Sequence, residues 1–270
     1  MEKASGHFVL LAIWFFGTWF LLSRIDFLED FGIREMTKAN ERKLAELFVD
    51  AIKKSHDEIE SDSVKAFISG IKDRICEANG IADSSVTLHI IVQDDVNAYA
   101  LPDRHLVINT GLIRYCKTPE ELAGVIAHEI AHMEHHHVEK KLAKEVGLSM
   151  MMTIVHGEAG GEIMREAAKM LSSTAFDREQ ESEADRSAVQ YLAKAGIDPE
   201  ELATFLFRLS GEKFDIPKRF ELLSTHPNSS DRAAEIEKLR KNEEIHPRPI
   251  GTRGEWNLVQ LESEAGAKEE

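Results

Sequence analysis

The sequence predicts an α+β fold, mainly helical, with one small antiparallel sheet and one N-terminal apolar helix. Three observations carry this. Over most of the chain apolar residues recur at three- and four-residue intervals, the period of one helix face. Between Val86 and Ile108 the period falls to two, the mark of half-buried strands. Residues Phe8 to Leu22, FVLLAIWFFGTWFLL, hold no charge at all. With 270 residues, 43% hydrophobic and 30% charged, the chain can build one sizeable domain with a short appendage at each end. The expected division is an N-terminal anchor over 1–30, a domain over 31–245 and an acidic, disordered tail over 246–270.

The apolar run is the first element. Its 15 residues at about 1.5 Å each fall short of a ~30 Å hydrocarbon core, so a span must borrow Ser23 to Leu28 and let Arg24 snorkel. Leu21, Leu22, Ser23 and Arg24 fill the positions where a small-x-small cleavage site would sit, which favours an uncleaved signal anchor over a removed signal peptide or a core helix. Lys3 on one side and Arg24, Arg34 and Lys38 on the other give no orientation. A helix is expected from Met36 to His56, on the stripe Leu44, Leu47, Phe48, Ala51 and Ile52, and another from Val64 to Ala78, closed by Asn79-Gly80. Strands follow at Val86 to Ile90, Asn97 to Leu101 and His105 to Ile108, with Pro102-Asp103 as a turn. Thr118-Pro119-Glu120-Glu121 supplies an N-cap, a first-turn proline and early acidic residues, opening a helix expected to run to Lys141. After a Gly- and Met-rich interruption from Gly147 to Gly161, helices are expected at Glu162 to Leu171, Asp177 to Ala195, Pro199 to Leu209 and Ser230 to Lys241. Beyond His246 the Pro-, Gly- and Glu-rich sequence has little apolar periodicity.

Charge and cysteine content remove two classes of function. A formal net charge of -15 argues against nucleic-acid partners, which are held by clustered Lys and Arg. Two cysteines, Cys76 and Cys116, make neither a disulfide framework nor a Cys-x-x-Cys zinc site, although an oxidising compartment would allow them to pair. Any metal must therefore lean on His and carboxylates.

His128-Glu129-Ile130-Ala131-His132 has the H-E-x-x-H spacing, and on a helix residues four apart stand one above the other on a single face. Both imidazoles can then reach one Zn2+ ion. Glu129 lies about 100° further round, where it can act as base without being a ligand. Zinc lowers the pKa of a water toward ~7, Glu129 takes its proton, and the hydroxide attacks a carbonyl, so the reaction class is amide hydrolysis. The site sits on an Ala- and Ile-rich helix, where two His and a Glu without a metal would be costly to bury. Catalytic zinc needs a third protein ligand. Arg178 to Asp185 reads REQESEAD, and Glu179, Glu181 and Glu183 are all available on spacing. Glu181 and Asp185, four apart, share one helical face, so that Glu181 could bind the metal while Asp185 orients a ligand His. His135-His136-His137 is expected to form a solvated helix end, favoured by the negative end of the helix dipole. Met150, Met151, Met152, Ile154 and Val155 form an apolar patch, either core or a substrate-binding lid.

These motifs together resemble metallopeptidase family 48, the gluzincin group that includes the CaaX prenyl endopeptidases and the HtpX-type proteases. The resemblance covers Asn97 to Arg232 and rests on NAYALP and INTGLI, then HEIAH, then Glu181 and Asp185 in ESEAD, then His226-Pro227 with Arg232 in HPNSSDR. It implies a zincin-like fold with the edge of the sheet above the metal and one Zn2+ per chain. It also implies Glu181 as third ligand, Asp185 and Arg232 as supporting residues, and His226 approaching the active site, either donating to the oxyanion or binding zinc at rest. The multi-span architecture of the prenyl endopeptidases is absent from this sequence, and the single-span or periplasmic quality-control branch is the closer match.

The expected function is endoproteolysis of protein or peptide substrates, misfolded or membrane-associated, in quality control of the cell envelope. The catalytic domain would face the periplasm from a single-pass inner-membrane anchor, with a homo-oligomer permitted. The rival readings are a zinc-containing chaperone or assembly factor, which has no need of Glu129, and a latent protease.

Overall fold

The computed structural model describes residues 38–82, 85–145, 161–211 and 220–265, with single positions at 147, 151, 153, 154 and 156. The apolar run at 8–22 lies outside them. Among the described residues no helix is long and apolar enough to cross a membrane.

Helices α1 (Lys38–Lys53) and α2 (Asp62–Ala78) come first, followed by strands β1 (Thr87–Ile91), β2 (Ala98–Leu101) and β3 (His105–Asn109). Helices α3 (Thr110–Tyr115), α4 (Pro119–Glu134), α5 (His137–Glu145), α6 (Gly161–Ser173), α7 (Arg178–Lys194) and α8 (Glu200–Gly211) make up the middle of the chain. The short α9 (Glu221–Thr225), then α10 (Ser229–Arg240) and α11 (Arg253–Ala265), complete it. The apolar faces of α1 (Leu44, Phe48) and α2 (Ile68, Ile71, Ile75) are buried as their periodicity requires.

The sheet departs from the expected all-antiparallel arrangement. Its order is β1-β3-β2, with β2 antiparallel and β1 parallel to β3. Alternation marks a strand but not its neighbours. The informative signal was in β3, where Leu106, Val107 and Ile108 form an unbroken apolar run, the mark of a central strand covered on both faces. Next comes Gly111, where a Cβ would stand 2.2 Å from the Asp94 carbonyl oxygen, so only glycine lets α3 start against that loop.

Helix α4 is the centre of the molecule. Thr118 caps it, accepting a hydrogen bond from the Glu121 amide at 3.2 Å. Every residue from Leu122 to Met133 is buried. At Gly124 a Cβ would lie 2.7 Å from Leu202 Cβ, so α8 rests directly on the α4 backbone. The helix stops at Glu134 instead of reaching Lys141, because His136 adopts a left-handed conformation, φ 54°, and restarts the chain as α5.

The tail is ordered as far as Ala265, contrary to the disorder expected beyond 246. Arg74 donates to the carbonyls of Ala195, Gly196, Arg248 and Pro249 at 2.9, 2.9, 2.7 and 3.2 Å, tying the chain before α11 to the end of α7. Gln260 in α11 donates to the Ile113 and Cys116 carbonyls, closing the end of α3. Trp256 is buried beside Phe67, ring centroids 5.9 Å apart. The buried stripe Trp256, Val259, Ser263 is one residue wide, and Leu258 and Leu261 face outward, so the periodicity was too weak to read. Cys76 and Cys116 are buried free thiols, and no disulfide joins them.

Trp256→Ala should therefore lower stability by ~3–5 kcal/mol in urea unfolding, as for a large aromatic removed from a core. Unchanged stability would mean that the tail contributes nothing to the fold.

Candidate active site

Four buried side chains from three elements converge. His128 and His132 come from successive turns of α4, Glu181 from the first turn of α7, and His226 from the residue that ends α9. One ligand atom from each lies within 4.8 Å of the others. His132 Nε2 is 3.0 Å from His128 Nε2 and 3.5 Å from Glu181 Oε1. His226 Nδ1 is 2.8 Å from Glu181 Oε1 and 3.3 Å from His128 Nε2.

Glu129 lies beside this set and is fully buried. Its Oε2 accepts a hydrogen bond from the Ala100 amide of edge strand β2 at 3.1 Å. Its Oε1 is 3.3 Å from His226 Nε2, yet neither atom completes a hydrogen bond. Glu181 Oε2 is likewise without one, although Arg232 Nη1 is 2.6 Å away. Buried carboxylate oxygens left in this condition beside three imidazoles fit a divalent cation, and the two-His, one-Glu donor chemistry suits zinc.

The support around the set comes mainly from α7 and α10. Asp185, one turn after Glu181, is 3.0 Å from His128 Nδ1. Arg232 donates to both Asp185 oxygens, Nε to Oδ2 at 2.8 Å and Nη2 to Oδ1 at 2.7 Å. Thus Arg232 bridges Glu181 and Asp185 and stands 3.3 Å from His128 Nε2.

The electrostatics follow from burial and charge. Burial pushes the Glu181 carboxyl up, but His226 and Arg232 overcome this and hold it well below its ordinary value. Burial also opposes the charged form of Glu129, and the three imidazoles around it, His226 first, leave it net lowered. Against its own burial, Glu181 and Glu129 push His226 up to about 9. Desolvation drives His132 down to about 3.

All seven residues singled out from the sequence, His128, Glu129, His132, Glu181, Asp185, His226 and Arg232, are brought together here. Three neighbours were missed. Phe176 stacks on the His132 ring, centroids 3.9 Å apart, and its amide donates to the Thr225 carbonyl next to His226. Lys141, pushed down to about 8 by burial, lies over the Phe176 ring at 4.3 Å. His137, placed by sequence on a solvated helix end, is buried with Nδ1 3.0 Å from His132 Nδ1, while His136 alone of the run is exposed. Five residues past His132, His137 is out of the helical register that made His136 conspicuous. Of the methionine patch, Met151 and Ile154 are buried and the other three residues fall outside the described set.

A mainly helical domain with a three-stranded sheet, an H-E-x-x-H helix under its edge strand and a glutamate from a second helix is the arrangement of a zincin-type metallopeptidase. Residues 63–240 match the sequence pattern of peptidase family M48, and the chain belongs to that family, whose members are zinc-dependent. It is 25% identical over 242 residues to the beta-barrel assembly-enhancing protease of Yersinia pestis, covering 84% of this chain and 50% of that protein. With the mitochondrial metalloendopeptidase OMA1 of Schizosaccharomyces pombe it shares 28% identity over 173 residues, 63% of this chain and 51% of the relative. The beta-barrel assembly-enhancing protease of Escherichia coli is 25% identical over 228 residues, 78% and 46% of the two chains. The chain thus spans about half the length of these relatives.

Burial disfavours the charged form of Asp185, yet Arg232 and His128 hold its pKa below the ordinary 3.8. A depressed carboxyl pKa stabilises the fold fully above the unfolded value and loses that contribution as pH falls through the folded value. Asp185→Asn should cost ~3–5 kcal/mol at pH 7, the cost of breaking a buried ion pair, and should flatten the loss of stability below pH ~4. An acid unfolding curve of unchanged shape would contradict this.

Proposed function

We propose that this chain is a zinc-dependent endopeptidase in which His128, His132 and Glu181 hold the metal and Glu129 is the general base. The observation that carries the reading is the placement of Glu129. A zinc site kept for structure needs no additional, non-ligating carboxylate, yet this one is fully buried beside the donor set and fixed by the backbone of an edge strand. That argues against a chaperone with structural zinc.

Zinc bound here would supply Lewis-acid polarisation of the scissile carbonyl and activation of water. The rest of the work falls to the chain. Glu129, held ionised by its imidazole neighbours, accepts the proton of the attacking water and passes it to the leaving amine. The Ala100 amide fixes one carboxylate oxygen, so the other is the atom left for proton transfer. Strand β2, at the sheet edge, offers main-chain pairing to an extended substrate, which gives affinity without a strict sequence requirement. His226 has two roles in sequence. Placed within the donor set, it would be a further ligand to bound zinc at rest, and its imidazole is positioned to donate to the oxyanion during turnover.

The apolar run at 8–22 supports a single-pass membrane anchor, and we place the domain in the periplasm, acting on misfolded or membrane-associated proteins, a reading in keeping with relatives named as a beta-barrel assembly-enhancing protease and a mitochondrial metalloendopeptidase. Added protease should then digest the domain in spheroplasts, and full protection there would overturn this topology.

Glu129→Gln should retain zinc and lose ~10²–10⁴ in cleavage of an unfolded protein, since only proton transfer is removed. Activity equal to wild type would sink the mechanism. His226→Ala should weaken zinc binding and lower turnover by ~100-fold or more. Turnover and zinc affinity both unchanged would eliminate either role for His226.

A further inference from the structure

We infer that His137 and Glu183 form a relay that positions His132, setting its tautomer and its ring direction toward the metal. This inference rests on the assignment of His132 as a zinc ligand. His132 presents Nε2 to the donor set, with His128 Nε2 at 3.0 Å and Glu181 Oε1 at 3.5 Å. To coordinate there, Nε2 must keep its lone pair, so the ring proton belongs on Nδ1. The partner of that proton is His137 Nδ1 at 3.0 Å. Since this atom accepts, the His137 proton lies on Nε2, which is 3.2 Å from Glu183 Oε2 and donates to it. With both rings neutral, this is the one assignment of protons that satisfies each atom in the series.

The other ligand histidine has the same support in a shorter form. His128 Nδ1 is 3.0 Å from Asp185 Oδ1 with no intermediary. One helix, α7, thus supplies the carboxylate behind each ligand histidine. Asp185 stands one turn from Glu181 and shares its face, so it reaches His128 directly. Glu183 is two residues from Glu181, about 200° round the helix, and faces away from the donor set. A second imidazole spans the difference. The left-handed turn at His136 makes this possible by folding His137 back beneath His132. The relay is also held from the side: His135 stacks on His137 with centroids 5.4 Å apart, is 3.4 Å from Glu183 Oε1 and bonds Ser187 at 2.7 Å.

The test is zinc affinity of the full chain, measured by chelator competition, with the spectrum of the cobalt-substituted protein as a second readout. Removing a partner behind a metal-bound histidine weakens affinity ~10–100-fold. His137→Leu should fall in this range and shift the cobalt spectrum, and Glu183→Ala, altered at a half-exposed position that tolerates change, should move both in the same direction. His137→Gln keeps an acceptor toward His132 and a donor toward Glu183, and should restore affinity to within ~3-fold of wild type. Unchanged affinity in Glu183→Ala, or His137→Gln as weak as His137→Leu with thermal unfolding intact, would overturn the relay. His132→Ala separates the two levels of argument. Zinc lost in that variant but unaffected in Glu183→Ala refutes the relay alone, whereas zinc retained in it refutes the ligand assignment beneath.

Discussion

The structure depends on the pairing of buried charges among three helices. Helix α4 brings two imidazoles and a carboxylate into the core, and α7 and α10 answer with Glu181, Asp185 and Arg232. None of these groups is more than slightly exposed. An unpaired charge in such a place costs several kcal/mol, so the helices must meet in one register or not at all. The surfaces allow it. Ala127 and Ala131 on α4 and Ala184 and Ala188 on α7 are fully buried, and side chains of this size let the helices approach while the long polar groups reach across. Gly124 likewise lets α8 rest on α4. The interior at this point is polar and closely packed at once, and a bound cation is the natural completion of its charge pattern.

What could be read from the sequence was whatever is local. The H-E-x-x-H helix, its Thr118-Pro119 start and the helical stripes of α1 and α2 depend on spacing within a few residues, and the structure has them where spacing puts them. Glu181 was different. Glu179 and Glu183 lie on the same turn, and choosing among the three needs the position of α4, which spacing does not contain. Family resemblance supplied that information. His226 and Arg232 were legible only by the same means, since each acts across nearly a hundred residues of chain or more.

Two misreadings have physical causes of other kinds. The sheet was taken as antiparallel because alternation reports the exposure of a strand's faces and is silent about strand order, and β3 inserts between its predecessors. The α4 helix was carried too far because nothing in His135-His136-His137 announces a left-handed residue. Histidine is among the few non-glycine types that tolerate φ > 0, so the break costs little and leaves no glycine or proline to mark it.

That unmarked break has consequences for how rigid the site can be. His128, His132 and Glu181 stand on helices of 16 and 17 residues whose inner faces are buried, and each histidine has a partner behind its outer nitrogen. His226 stands instead where a five-residue helix ends, between Thr225 and a proline, and its ring nitrogens face the donor set and Glu129. Beyond the backbone of α9 it is tied locally by Ser229 Oγ, which donates to the His226 carbonyl at 3.5 Å, and by the Phe176 amide on the Thr225 carbonyl at 3.2 Å. On the proposed assignment, a ligand on so short an element can leave the metal without disturbing the two helices that hold it. On the proposed assignment the fold sets three donors on long helices and the fourth imidazole at the end of a short one. That division of stiffness is what a site needs if it is to keep its metal while one group changes partners during the reaction.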